Sequence, residues 1–139
     1  MQKKVFAAQF SNLDDMREFV GDCARADGYS EKDVYAIQLA VDEACTNVIE
    51  HAYAGESDAK LEICCDVDYE AITIVIRDWG EPFDPSGVPE PNLDKDLSER
   101  RIGGLGIYLM RKLMDRVDYQ PSSVSGNTLT LTKRKGARQ

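Results

Sequence analysis

Three short segments carry residue types whose spacing suits chemistry. The first is Asp78-Trp79-Gly80-Glu81-Pro82-Phe83-Asp84-Pro85, in which an acid follows an apolar run and a glycine stands two places on. A carboxylate there can accept a hydrogen bond from an exocyclic amine, and the glycine lets backbone approach a planar ligand closely. The second is Glu43 with Asn47 and His51, at successive i, i+4 positions. On a helix that spacing sets all three on one stripe, where a carboxylate can serve as a base and an amide oxygen can ligate a divalent cation. The third is Gly103-Gly104-Leu105-Gly106, ahead of Ile107-Tyr108-Leu109-Met110. Glycines opening a helix leave backbone N–H groups free for phosphate. In this order the segments read as a split ATP site.

Each segment alone has a simpler explanation. Glu43 and Asn47 suit a solvated helix face, Asp78 suits the initiation of a turn after a strand, and paired glycines suit a hinge. Two familiar nucleotide motifs are excluded. No Lys-Ser or Lys-Thr follows the glycines, so there is no G-x-x-x-x-G-K-[ST] loop, and no G-x-G-x-x-G follows the first strand.

The elements that must position these residues follow from periodicity. A strand is expected over 4–10, with Ser11-Asn12 capping a helix over 13–26 that Gly28 ends. Ser30 is expected to cap a second helix, whose apolar positions Val34, Ile37, Val41, Ala44, Val48 and Ala52 follow the helical period as far as 53–55. Glu43, Asn47 and His51 would lie roughly opposite that stripe. Two β-rich runs, 60–67 and 71–77, are close enough for a hairpin. The stretch 80–101, broken by Pro82, Pro85, Gly87, Pro89 and Pro91, reads as a long functional loop. A helix over 103–114 and strands over 117–120 and 127–133 complete the chain. The expected fold class is α+β, a two-layer α/β sandwich with a mixed, mostly antiparallel sheet and helices on one face, as one domain over 1–139.

Composition bounds the function. The net charge of −8, with basic residues dispersed apart from Lys133, Arg134, Lys135 and Arg138, argues against nucleic acid as a direct partner. No apolar run reaches the length of a membrane span, and no signal-peptide layout opens the chain, so a soluble cytoplasmic protein is expected. Cys23, Cys45, Cys64 and Cys65 lack metal-ligand spacing and are expected to be buried reduced thiols.

The set resembles the GHKL ATPase superfamily, which takes in gyrase, heat-shock chaperones, histidine kinases and mismatch-repair ATPases. Asp42-Glu43-Ala44-Cys45-Thr46-Asn47 looks like its N box, Asp78-x-Gly80 like its first glycine box and Gly103-Gly104-Leu105-Gly106 like its second. Within it the chain is most similar to the anti-sigma factor serine/threonine kinases, whose Pro-Phe-Asp-Pro ending matches 82–85; the wider superfamily has a second glycine at Pro82.

The resemblance implies a histidine-kinase-like ATPase fold with an ATP lid at 80–101, and ATP and Mg²⁺ as cofactors. It makes Glu43 the general base and Asn47 the Mg²⁺ ligand. Asp78 would bind the adenine amine and Gly80 admit the base, while Gly103, Gly104, Leu105 and Gly106 would shape the phosphate site. Thr128 would lie near adenine, and Arg100 or Arg101 would contact the γ-phosphate. The implied partners are a sigma factor, a STAS-type anti-sigma factor antagonist carrying the acceptor Ser or Thr, and a second copy of the chain as a homodimer. Two functions stay open here: a protein kinase, or an ATP-dependent binding module that sequesters partners without transferring phosphate.

Overall fold

Residues 1–52, 58–82 and 102–136 are described by the computed structural model, with side chains described at all of these except 51, 52 and 102–107. The element order is β1 (Gln2–Ala7), α1 (Leu13–Ala26), α2 (Glu31–Asn47), β2 (Lys60–Val67), β3 (Ala71–Asp78), α3 (Ile102–Leu113), β4 (Arg116–Gln120) and β5 (Asn127–Arg134). The strands form one sheet in the order β1-β2-β3-β5-β4, and every pairing is antiparallel rather than mixed.

Strand alternation creates the two layers. Leu61, Ile63 and Cys65 of β2, Ile72, Ile74 and Ile76 of β3, and Leu129 and Leu131 of β5 point to one face and are buried. Against them lie Met16, Val20 and Ala24 of α1, Val34, Ile37, Val41 and Ala44 of α2, and Met110 of α3. Burial of this kind gives about 25 cal/mol per Å² of apolar surface, so it is the main source of the sheet's stability. The opposite face carries Thr73 and Val75 with Thr128, Thr130 and Thr132, all only partly covered.

Local chemistry fixes the ends. The Ser30 hydroxyl accepts from the Asp33 N–H at 3.2 Å, the expected cap of α2. Asp68 turns the β2–β3 hairpin by accepting from the N–H groups of Glu70 and Ala71 at 2.7 and 2.9 Å, and those bonds lower its proton affinity. The start of the chain departs from expectation. The first strand spans Gln2–Ala7, and Phe10 instead begins a 3-10 turn, Phe10–Asn12. Asn12 precedes α1 without a side-chain cap; its amide donates to the Ala7 carbonyl, tying strand end to helix start.

The α-helical geometry of α2 also ends early, at Asn47, and a π-helical turn, Val48–Ala52, replaces the expected last turn. His51 thus lies in the π-helical turn, beyond the α-helical geometry that carries Glu43 and Asn47. Of the cysteines, Cys23, Cys45 and Cys65 are buried, and burial raises all three thiols above their ordinary proton affinity. Cys64 is only partly buried because alternation turns it to the outer face.

Candidate functional site

The C-terminal end of α2 and the C-terminal end of β3 carry the polar residues that the apolar pattern does not explain. The chain links these ends through the start of β2. After Asn47 the chain makes its π-helical turn and re-enters the sheet at Lys60, and Leu61 pairs directly with Asp78.

Glu43 and Asn47 share a face of α2 one turn apart. Asn47 does not lie on a solvated face, the simpler explanation of its type: it is 9% exposed. Its amide has no hydrogen-bond partner among the described residues. Glu43 is partly buried, and its carboxylate likewise has no ionic or hydrogen-bond partner among them. Burial, reinforced by the negative charges of Asp42 and Glu50, pushes its proton affinity up. Neighbouring Asp42 differs, because it lies 3.5 Å from the Arg17 guanidinium. A half-buried carboxylate with an elevated pKa and free lone pairs suits proton acceptance, and perturbed groups of this kind mark functional sites. An amide oxygen that makes no hydrogen bond among the described residues suits a hard cation, so Asn47 fits Mg²⁺ as an oxygen ligand.

Asp78 is 3% exposed at the last position of β3. Its Oδ1 accepts from the Gly80 N–H at 2.9 Å and from Asn127 Nδ2 at 3.0 Å. Oδ2 has no partner among the described residues. Asp78 is therefore both the turn initiator of the local reading and an acceptor with one oxygen to spare. Asn127 was missed as a site residue. It is 2% exposed, pairs across the ladder with Asp78, and also donates to the Gly80 carbonyl at 2.9 Å. Before it stands Gly126 at φ +92°, where an added Cβ would meet the Asp78 carbonyl and the Trp79 indole nitrogen, each at 2.9 Å. Only glycine lets this turn lie so close.

Thr128 is not part of this cluster. The register sets it opposite Arg77, so its side chain alternates to the outer face with Thr130 and Thr132, away from Asp78. One residue of offset makes the difference, and Asn127 is the β5 residue at Asp78. Gly103, Gly104, Leu105 and Gly106 lie within the first turns of α3, which begins at Ile102. The first N–H groups of a helix have no intrahelical partner, which suits an opening turn to an anion. α3 packs against α2, the helix bearing Glu43 and Asn47. Arg100, Arg101 and the expected lid beyond Pro82 lie outside the described residues.

Comparison with known proteins identifies the family. The family described as "Histidine kinase-like ATPase domain" matches residues 6–133. The chain is 39% identical over 114 residues to "Serine-protein kinase RsbW" of Bacillus licheniformis, covering 76% of this chain and 68% of that protein. Against the protein of the same name from Bacillus subtilis strain 168, identity is 35% over 114 residues with the same coverage. With that of Staphylococcus epidermidis it is 34% over 117 residues, 80% of this chain and 74% of the relative.

Among solved structures, the chain is similar to the RsbU and RsbW domains of Rv1364c from Mycobacterium tuberculosis. The TM-score is 0.64 at 16% identity, over 99% of this chain and 34% of that one. It is also similar to the histidine kinase domain of the Erythrobacter litoralis EL346 blue-light activated histidine kinase, with TM-score 0.53 at 15% identity over 88% of this chain and 59% of that one. At such identities these two speak for the fold alone. With a family match over most of its length and relatives above 30% identity, the chain belongs to the histidine kinase-like ATPase family, among the RsbW serine-protein kinases.

Proposed function

We propose that this protein is an anti-sigma factor serine/threonine kinase: it binds Mg-ATP, sequesters a sigma factor, and phosphorylates a STAS-type antagonist of that activity on Ser or Thr. The observation that carries the kinase reading is Glu43, a half-buried carboxylate with raised proton affinity and no partner among the described residues, one helical turn from the unpartnered amide of Asn47. A binding module that never transferred phosphate would have no use for an unpaired base held at that energetic cost.

In the proposed reaction the acceptor hydroxyl oxygen forms a bond to the γ-phosphorus while the bond from that phosphorus to the β–γ bridging oxygen breaks. ADP leaves, and Glu43 takes the hydroxyl proton. Asp78 Oδ2 accepts from the adenine amine, with Gly80 letting backbone approach the ring. The amides around Gly103, Gly104, Leu105 and Gly106 meet phosphate oxygens. Asn47 would hold Mg²⁺, which when bound would neutralise charge on the phosphates. Arg101 remains the proposed γ-phosphate contact on the resemblance alone.

Labelled ATP incubated with the protein and a panel of antagonist proteins from its host should transfer label to a Ser or Thr of one of them. Absence of transfer to every antagonist, with ATP binding intact, would leave the non-catalytic switch as the function. The proposed assembly is a cytoplasmic homodimer holding one sigma factor. Light scattering at micromolar concentration should give twice the 15.5 kDa chain mass, and a single-chain mass would reject the dimer.

A further inference from the structure

The adenine reading rests on Asp78, and the geometry around that carboxylate identifies a second determinant. We propose that Asn127 is the positioning residue for adenine recognition: its amide holds Asp78 Oδ1, so that Oδ2 is the oxygen presented to the exocyclic amine of the base.

The amide orientation is dictated by its partners. Asp78 Oδ1 and the Gly80 carbonyl can only accept, so both must face Nδ2, at 3.0 and 2.9 Å. The Ser122 N–H can only donate, and it meets Asn127 Oδ1 at 3.2 Å. The side chain thus joins the end of β3, the turn after it and the turn before β5.

Packing alone does not call for an amide here. Asn127 lies on the apolar face of β5, in line with Leu129 and Leu131. A buried amide there costs free energy unless its groups are satisfied, and an apolar side chain would continue the face. What an apolar residue cannot supply is a donor to Asp78. Without Asn127, Oδ1 would keep only the Gly80 N–H, and the carboxylate could turn about its Cβ–Cγ bond. With both donors in place Oδ1 is engaged and Oδ2 has a single direction.

The inference deepens the ATP reading and depends on it, so the test separates the two. Affinities for ATP and for inosine triphosphate, which carries a carbonyl where ATP carries the amine, would be measured by calorimetry on the full chain, with thermal melts as a check of folding. Asn127→Ala is expected to weaken ATP by at least about tenfold, the scale of a lost hydrogen bond that orients a charged group, while leaving inosine triphosphate unchanged. Asn127→Ser, whose hydroxyl still donates, should restore part of the ATP affinity.

In an Asp78→Ala background, Asn127→Ala should cost less than about twofold, because a residue acting through Asp78 has nothing left to position. Equal losses in both backgrounds, or equal losses of both nucleotides, would mean a merely structural role and overturn the proposal. So would unchanged ATP affinity in Asn127→Ala. If Asp78→Ala itself binds ATP normally, the adenine reading falls and this proposal with it. If Asp78→Ala loses ATP while Asn127→Ala does not, only the proposal falls. Should Asn127→Ala fail to fold, Asn127→Ser decides by the same comparison: a loss selective for ATP supports positioning, and no selective loss rejects it.

Discussion

Glu43→Gln is expected to bind ATP as the wild type does and to lose phosphoryl transfer by about 10²- to 10⁴-fold, the usual contribution of a positioned general base. Glutamine keeps the shape and the neighbours on α2 but cannot take a proton. The pH profile supplies an independent check. Burial first, and then Asp42 and Glu50, raise the Glu43 pKa; the base works only when ionised, so the rate should rise with pH through a value higher than that of an ordinary glutamate. That acid limb should vanish in the residual activity of Glu43→Gln.

Stability should move the other way. A carboxyl with a raised folded pKa contributes most below its unfolded pKa and loses that contribution as pH rises through the folded one. Relative to wild type, Glu43→Gln should therefore gain thermal stability as pH increases across that window. Full-rate transfer by Glu43→Gln, or an unchanged acid limb, would remove Glu43 from the chemistry.

Much of this arrangement is legible in the sequence because the relevant forces are local. The apolar period of 34–48 and the Ser30 cap are properties of a single helix, and α2 starts where they require. The runs 60–67 and 71–77 are separated by an Asp-led turn that closes on itself, so the β2–β3 hairpin follows from neighbouring residues. The candidate residues Glu43, Asn47 and Asp78 were visible because a polar type stands where periodicity or strand length leaves it at an element's functional end.

What the sequence conceals depends on pairing across the fold. Whether Asn127 or Thr128 meets Asp78 is a matter of one residue of register between strands far apart in sequence, and the ladder settles it for Asn127. A signal was nevertheless present: the alternation that sets Leu129 and Leu131 inward sets Asn127 inward too, and a buried amide demands partners. The π-helical turn after Asn47 left no comparable trace. Its residues fit a regular helix equally well, so the change from α- to π-helical geometry after Asn47 depends on packing rather than on propensity. The burial of Asn47 also arises from tertiary contact, since it follows the apolar Ala44 by three residues and lies at the margin of the buried stripe.

Asp78→Asn should shift base preference, because the neighbours decide which way the new amide faces. The Oδ1 position receives hydrogen bonds from Gly80 N–H and Asn127 Nδ2. A side-chain NH₂ there would meet two donors, so the amide oxygen must take that position and the NH₂ must take that of Oδ2. The group presented to the ligand then changes from acceptor to donor while the fold keeps its hydrogen bonds. Facing the adenine amine, donor against donor, ATP affinity should fall by about 1–3 kcal/mol, the cost of an unsatisfied polar contact. Facing a carbonyl, the same NH₂ is complementary, so inosine triphosphate should bind more tightly than it does to the wild type. Competition calorimetry with the two nucleotides measures both changes in one protein. A variant that binds ATP unchanged, or that loses ATP without gaining inosine triphosphate, would show that Asp78 does not meet the exocyclic position of the base.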